Sequence, residues 1–290
     1  MGQSTVRYID SYWWSNDGLR LHYRDYAGRA DRPVIVCMPG LTRNARDFEA
    51  LALRLSPDWR VVAVDFRGRG ESAYAKDTMT YVPLTYVQDV ERLLADLRID
   101  HFIAFGTSLG GIVTMLLAAN GRARLAGALL NDIGPDIEPE GLARIRGFVG
   151  RSTSWPTWVH AARSLSEANA GTYPRYRLDD WLRMAKQLYR LTPAGRIVPD
   201  YDMNIAEPFR LPGGEAGVNL WPALDALVDV PTLIVRGEQS DLFSAATAAA
   251  MVGRLHAATL VTVPGVGHTP TLDESEARAA IDQLLATVTA

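Results

Sequence analysis

A serine flanked by glycines is the feature of this chain that most directly indicates chemistry. The residues GTSLG at 106–110 follow an apolar run ending at Phe105 and precede an apolar segment that begins at Leu109. A Gly-x-Ser-x-Gly motif between a strand and a helix is typical of a nucleophile elbow, a strained turn that presents the serine hydroxyl. Larger residues at the glycine positions would collide with neighbouring backbone. The motif therefore predicts Ser108 as the nucleophile of an acyl-transfer reaction.

A serine nucleophile needs a base to accept its proton, and histidine is the usual one near neutral pH. Of the five histidines in the chain, only His268 follows the last predicted strand. The carboxyl ends of parallel strands meet at one edge of a sheet, where ligands bind. Since Ser108 also follows a strand, we predict that His268 lies on the same edge and is the base.

The base in turn needs a carboxylate that holds its tautomer and offsets the imidazolium charge. Three acidic residues precede His268 and follow predicted strands on the same edge: Asp241, Glu238 and Asp132. All three satisfy the chain order serine, acid, histidine. We predict that Asp241 is the acid, with Glu238 and Asp132 as the alternatives.

An oxyanion needs two hydrogen-bond donors, because losing one typically costs about 10²–10³ in rate. One donor is expected to be the backbone N–H of Leu109, directly after the nucleophile. The turn PGLTRN at 39–44 follows another predicted strand and offers the N–H of Leu41 as the second donor. The alternative for this turn is a plain Pro-Gly loop start.

The elements that must position these residues alternate along the chain. Short apolar runs closed by Gly, Pro, Asp or Asn predict buried strands at 34–38, 61–66, 102–105, 125–130, 232–235 and 259–263. Helical periodicity predicts helices at 48–55, 84–97, 109–119, 245–254 and 274–286. This alternation predicts an α/β fold, a mostly parallel sheet flanked by helices. Extended segments at 5–12 and 19–26 around the turn signal NDG predict a hairpin at an antiparallel edge.

The alternation stops after Leu130. Residues 133–223 contain amphipathic helical stretches and many aromatic residues, so they predict a helical cap between two strands of a core formed by 1–132 and 224–290. Trp155 and Trp158 of this cap are candidate substrate-binding residues, because pockets are commonly walled by such side chains. The alternative is that the aromatic residues pack the cap onto the core.

Composition limits the remaining possibilities. The net charge of -3 predicts no binding to nucleic acid or to an anionic membrane surface. The single cysteine, Cys37, excludes an internal disulfide and any cysteine-rich metal site. No basic segment followed by an apolar one opens the chain, and no apolar stretch reaches the roughly 18 residues of a membrane span. We therefore expect a cytoplasmic protein whose partner is a small molecule, with its oligomeric state left open.

Taken together, the motif at 106–110, the segments DFRGRGES at 65–72 and RGEQSD at 236–241, and Gly267-His268 resemble the α/β-hydrolase superfamily, in its esterase-like branch with a helical cap. The resemblance implies the same nucleophile, acid and base, a structural loop at 65–72, and neither a metal nor an organic cofactor. Many relatives carry His-Gly where this chain has Pro39-Gly40, a departure that alters the turn but keeps the Leu41 donor.

The resemblance also limits the chemistry. A serine nucleophile argues against dehalogenase or epoxide hydrolase activity, because those relatives use aspartate there. We expect a carboxylesterase-like serine hydrolase that cleaves an ester or lactone of a small, partly apolar substrate. The alternatives are a hydrolase of activated C–C bonds and a small-molecule receptor on the same fold, which would bind its ligand with little or no turnover.

Overall fold

An eight-stranded sheet forms the centre of the protein in a computed structural model that describes residues 7–210 and 219–289. The strands are β1 (Ile9–Trp14), β2 (Arg20–Tyr26), β3 (Val34–Met38), β4 (Val61–Asp65), β5 (Phe102–Thr107), β6 (Leu125–Asn131), β9 (Thr232–Gly237) and β10 (Ala258–Val263). Two further strands, β7 (Tyr189–Leu191) and β8 (Ile197–Pro199), pair with each other outside this sheet.

The order of strands across the sheet is β1-β2-β4-β3-β5-β6-β9-β10. Six neighbouring strands run parallel to one another, namely β4, β3, β5, β6, β9 and β10. Strands β1 and β2 form an antiparallel hairpin, and β2 pairs antiparallel with β4. The predicted α/β fold with a mostly parallel sheet is therefore confirmed. The hairpin also forms, although residues 5 and 6 of its predicted first segment (5–12) lie outside the described residues.

The central strands are apolar throughout because both faces of the sheet are covered. In β3, Val36 and Met38 point into one core and Ile35 and Cys37 into the other. Successive side chains of a strand point to opposite faces, so a strand buried on both sides has no polar face to reveal its period.

Ten α-helices are described, and those next to the sheet cover its two faces. Their bounds are α1 (Glu49–Leu55), α2 (Pro83–Asp96), α3 (Leu109–Gly121), α4 (Pro139–Phe148), α5 (Trp158–Asn169), α6 (Leu178–Leu188), α7 (Glu207–Arg210), α8 (Trp221–Asp225), α9 (Ala245–Arg254) and α10 (Ser275–Thr289). Helices α2, α3, α8 and α9 contribute to one core, and α1 and α10 to the other. None of the helices in the described ranges is both long and apolar enough to cross a membrane.

The segment between β6 and β9, called here the insertion, holds α4 to α8 and the β7–β8 pair. Helices α5 and α6 pack against each other around a small separate core that includes Ala161, Trp181 and Ile197. The sequence predicts only helices in this segment, so the two short strands β7 and β8 are an addition to the predicted structure. Each has only three residues, and β7 is largely exposed, so neither leaves an apolar run in the sequence.

A buried histidine joins the antiparallel edge of the sheet to the start of the β4 loop. His22 is 1% exposed, and its Nδ1 and Nε2 contact carboxylate oxygens of Asp65 and Asp10 at 2.7 and 2.9 Å. Burial alone would lower the pKa of His22, but the hydrogen bonds and charges of these two carboxylates outweigh it and raise the pKa. The folded protein therefore stabilises the imidazolium form relative to the unfolded chain.

This raised pKa predicts a stability that depends on pH. A group with a higher pKa in the folded state contributes stability fully below its unfolded value, about 6.5 for histidine, and loses it as the pH rises through the folded pKa. We expect the free energy of unfolding of the wild type to fall relative to that of His22→Gln across this range. Urea unfolding of both proteins between pH 6 and pH 9 checks this, and parallel pH profiles would contradict it.

Candidate active site

The serine elbow lies between β5 and α3. Ser108 has φ 52° and ψ -114°, a conformation that side chains rarely adopt, and it directly precedes the first residue of α3. A Cβ on Gly106 would lie 2.3 Å from the carbonyl oxygen of Gly110, and a Cβ on Gly110 would lie 2.0 Å from that of Met38. Both contacts are too short for any side chain, so glycine is required at each position.

Three side chains at the carboxyl edge of the sheet are connected by two consecutive hydrogen bonds. The Ser108 hydroxyl is 3.0 Å from His268 Nε2, and His268 Nδ1 is 2.8 Å from Asp132 Oδ2. With Nδ1–H donating to the carboxylate, Nε2 is left to accept the serine proton. The Asp132 side chain is fully buried and the His268 side chain is 8% exposed. A serine, a histidine and a buried carboxylate in this order can activate the hydroxyl as a nucleophile.

The acid predicted from the sequence is not the one that meets the base. Asp241 accepts two hydrogen bonds from Arg144 of α4, at 2.5 and 2.8 Å, and this pairing lowers the pKa of its carboxyl. His268 interacts with Asp241 only through its charge and not through a hydrogen bond, because its Nδ1 donates to Asp132. The carboxylate that contacts His268 in the structure is therefore that of Asp132, one of the two alternatives, and not that of Asp241. The Glu238 carboxylate accepts from the N–H of Gly265, while both ring nitrogens of His268 contact other residues, Asp132 and Ser108.

The carboxylate of Asp132 is held by three donors. Oδ1 accepts from the N–H of Gly237 at 2.8 Å, and Oδ2 accepts from the Ser240 hydroxyl at 2.7 Å as well as from His268. The segment 236–241 therefore does contribute to the site, but through Ser240. Sequence reasoning missed Ser240 because a loop serine has no periodicity or motif of its own. These donors satisfy both oxygens of a carboxylate that is buried.

The turn after β3 lies beside the nucleophile. A Cβ on Gly40 would lie 3.7 Å from Cβ of Ser108, which brings the backbone of the predicted Leu41 donor close to the serine. The carbonyl of Leu41 accepts a 2.9 Å hydrogen bond from Nε of Arg69, whose side chain is fully buried. Arg69 belongs to the segment 65–72, so this loop braces the turn. The oxyanion role of Leu41 and Leu109 stays a prediction.

Asn131 connects the nucleophile strand to the loop of the base. Its backbone carbonyl accepts from the N–H of Ser108 at 2.9 Å. Its Nδ2 contacts the hydroxyls of Thr107 and Thr269 at 3.2 and 3.1 Å and the carbonyl of Pro270 at 2.9 Å. Thr107 directly precedes Ser108 in the chain, and Thr269 directly follows His268. One buried amide therefore sets the distance between the two segments that carry the reacting groups.

We expect Asn131→Leu, which keeps the volume but removes these hydrogen bonds, to lower kcat. A misplacement of about 1 Å can cost roughly a hundredfold in rate, so a loss of about 10- to 100-fold with little change in KM is expected. Steady-state kinetics on an ester substrate measure this, with Asn219→Leu at the exposed start of α8 as a control. Unchanged kcat in a folded Asn131→Leu protein would contradict the positioning role.

The insertion also contacts the loop of the base. The N–H of Gly267 donates to the carbonyl of Thr172 at 2.9 Å, and the Tyr173 hydroxyl donates to the carbonyl of Thr269 at 2.7 Å. These bonds lie on either side of His268. The insertion therefore helps to hold the imidazole in place and is more than a cover over the sheet edge.

The two tryptophans predicted to bind substrate pack within the insertion. The Trp155 ring lies 4.6 Å from that of Tyr189, and its backbone exchanges two hydrogen bonds with Ile197. Trp158 begins α5 and packs against the same small core. These contacts agree with the packing alternative for the insertion aromatics. Substrate binding by Trp155 and Trp158 stays a prediction.

Metal binding was not expected at this edge of the sheet. Across the ranges that the structure describes, no group of three or more His, Cys, Asp or Glu side chains is placed to hold a metal ion. Cys37 is buried in β3, and burial raises the pKa of its thiol well above the usual range.

Comparison with known proteins identifies the family of this chain. Residues 35–281 match the profile of the alpha/beta hydrolase family, and the chain belongs to that family. A crystal structure of an alpha/beta hydrolase from Novosphingobium aromaticivorans is 55% identical, superposes with a TM-score of 0.94, and covers 98% of this chain and 99% of its own.

Two curated relatives have names that state a substrate as well as the hydrolase class. The chain is 35% identical over 261 residues to a 3-hydroxybutyrate-oligomer hydrolase of Cupriavidus necator, covering 87% of this chain and 88% of that protein. It is 31% identical over 237 residues to a 2-(acetamidomethylene)succinate hydrolase of Mesorhizobium japonicum, covering 81% of each. The family and these hydrolase-named relatives support a hydrolase.

Proposed function

We propose that this protein is a serine esterase that cleaves the carboxylic ester of a small, partly apolar molecule through an acyl-enzyme. The observation that carries the proposal is the hydrogen-bonded series from Ser108 Oγ through both ring nitrogens of His268 to Asp132, at 3.0 and 2.8 Å. Proton transfer requires contacts of about 2.6–3.2 Å, and both distances lie in that range.

In the first step, His268 Nε2 takes the proton of Ser108 as the hydroxyl oxygen attacks the ester carbonyl carbon. The negative charge that develops on the carbonyl oxygen is held by the N–H groups of Leu41 and Leu109. Asp132 stays ionised and stabilises the imidazolium. The protonated His268 then donates its proton to the leaving alcohol as the C–O bond breaks, which leaves the acyl group on Ser108.

In the second step, water replaces the alcohol. His268 takes a proton from the water, whose oxygen attacks the acyl carbon and forms a second tetrahedral intermediate at the same donors. As this intermediate collapses, His268 returns the proton to Ser108 and the free acid leaves. The same three side chains serve both steps because the reacting carbon occupies one position throughout.

The names of the relatives suggest where to look for the substrate. An oligomer of 3-hydroxybutyrate is joined by ester bonds, and the relative that carries this name matches most of the present chain. We propose short oligoesters of hydroxy acids as the first substrates to test. The Ser108 chemistry is the same for any ester, so the proposal for the bond does not depend on this choice.

The test is hydrolysis of p-nitrophenyl esters from acetate to octanoate, alongside the linear dimer of 3-hydroxybutyrate, with Ser108→Ala as the control. Wild-type turnover with an initial burst close to one equivalent of p-nitrophenol is expected, together with a Ser108 peptide whose mass has increased by that of the acyl group. Turnover without an acylated serine would contradict the mechanism. Ligand binding without any ester turnover would favour a receptor or a hydrolase of C–C bonds.

A further inference from the structure

A cavity of about 110 Å³ lies beside the candidate active site, between α1, α6 and the loop that follows His268. Thr107, directly before the nucleophile, and Thr269, directly after the base, both line it. The insertion contributes Tyr176 and Met184 to its wall. The cavity therefore adjoins both segments that carry the reacting groups.

Arg43 connects this cavity to the nucleophile. Its N–H donates to the carbonyl of Gly40 at 3.1 Å, so it closes the turn that holds the predicted Leu41 donor. The point where a Cβ on Gly40 would stand is 3.3 Å from Arg43 Cγ and 3.7 Å from Ser108 Cβ. The Arg43 stem and Ser108 thus both lie against Gly40, and the Arg43 side chain lines the cavity.

The guanidinium of Arg43 has donors to spare. Its Nε donates to Oδ2 of Asp47, and its two Nη groups donate to no acceptor within the described part of the chain. The side chain is 22% exposed, and it lines the cavity. Two parallel Nη–H donors match the two oxygens of a carboxylate and form a stronger contact than a neutral hydrogen bond.

The other charges of the cavity wall are already paired. Each of the three aspartates that line it contacts an arginine; the pairs are Arg43–Asp47, Arg183–Asp180 and Arg278–Asp273. Asp180 and Asp273 are thereby offset by other arginines, whereas Asp47 is offset by Arg43 itself and its buried Oδ1 makes no hydrogen bond among the described residues. A neutral ligand end would leave the Nη donors of Arg43 unused.

We propose that Arg43 binds a free carboxylate of the substrate, so that the enzyme prefers esters that carry an acid group at a distance from the scissile bond. This assignment rests on the proposed ester hydrolysis at Ser108. It predicts that the preference resides in KM and kcat/KM, because Arg43 contacts the remote end of the substrate and not the reacting carbon.

The experiment compares p-nitrophenyl half-esters of linear dicarboxylic acids of about six to ten carbons with the matching esters whose far carboxylate is a primary amide. For the wild type we expect kcat/KM about 10- to 100-fold higher for the acid at the best length, the range for a hydrogen bond to a charged group. Arg43→Gln should remove this ratio while the amide esters react within about threefold of the wild-type rate. Arg43→Lys should keep part of it, and Arg183→Gln, at the exposed rim of the same cavity, should keep all of it.

Arg43→Gln leaves Asp47 without its partner, so the double variant Arg43→Gln/Asp47→Asn provides a neutral pair that protects the fold. Equal rates for acids and amides at every length in the wild type would overturn the proposal. A loss of both substrates alike in the folded double variant would also overturn it, because Arg43 would then act through the turn. If the wild type hydrolyses neither the amide esters nor simple p-nitrophenyl esters, the proposed esterase function fails as well.

Discussion

Replacing Asp132 with asparagine is expected to lower kcat about 10⁴-fold on any ester that the wild type hydrolyses. Asparagine fits the same space, but its amide cannot hold the His268 tautomer in which Nδ1 carries the proton and cannot offset the imidazolium charge. Two other donors, the N–H of Gly237 and the hydroxyl of Ser240, also lose an ionised acceptor. KM should change far less, since no substrate contact is removed.

The matched control is Asp241→Asn, the same chemical change at the acid favoured by the sequence. Its pair with Arg144 is partly exposed, so we expect kcat within about threefold of wild type and a stability loss below roughly 1 kcal/mol. Steady-state kinetics of both variants beside urea unfolding decide the matter. A large loss in Asp241→Asn with an active Asp132→Asn would reverse the assignment made from the structure.

Ser108→Ala is expected to lower kcat by about 10⁶-fold, and His268→Ala by a similar factor. The variant keeps the glycine elbow and loses only one oxygen, so the fold and the binding of substrate should persist. Because Ser108 and His268 act as one unit, the double variant Ser108→Ala/His268→Ala should be no less active than Ser108→Ala alone.

This non-additivity separates a shared mechanism from two independent contributions. Kinetics of the two single variants and the double variant measure it, and a thermal unfolding midpoint close to wild type confirms that each protein is folded. Activities that multiply, so that the double variant loses the product of the two single losses, would contradict a common proton transfer. Serine and alanine carry the same Cβ, so the strain of the positive φ at position 108 is unchanged and the wild type is the proper reference for the midpoint.

Much of the fold follows from local sequence. The strand predicted at 34–38 and the helix predicted at 245–254 have these bounds in the structure, and the other core elements differ mainly at their ends. Strand β5 continues to Thr107, two residues past the prediction, because strand pairing with β6 extends to the elbow itself. Periodicity reports burial, and the last residues before a turn carry little of that signal.

The two members of the site that lie in marked turns, Ser108 and His268, are brought together at the edge where the sequence places them. A nucleophile elbow is a local steric device, and a parallel sheet gathers its loops on one side, so both positions are available to reasoning from sequence. The family was also accessible from these motifs, and the match over residues 35–281 confirms it.

The choice of acid was decided only by the tertiary structure. Asp132, Glu238 and Asp241 all follow strands on the same edge, and no local pattern ranks them by distance from the imidazole. Asp132 directly follows β6, the neighbour of the nucleophile strand, whereas Asp241 lies beyond the end of β9 and turns toward Arg144 of the insertion. The sequence by itself predicted the parallel sheet and the serine and histidine that meet at its edge, because these depend on chain-local sterics and periodicity. The acid, the bracing by Asn131 and Arg69, and the free donors of Arg43 depend on which side chains meet across the fold, and only the folded chain settles that.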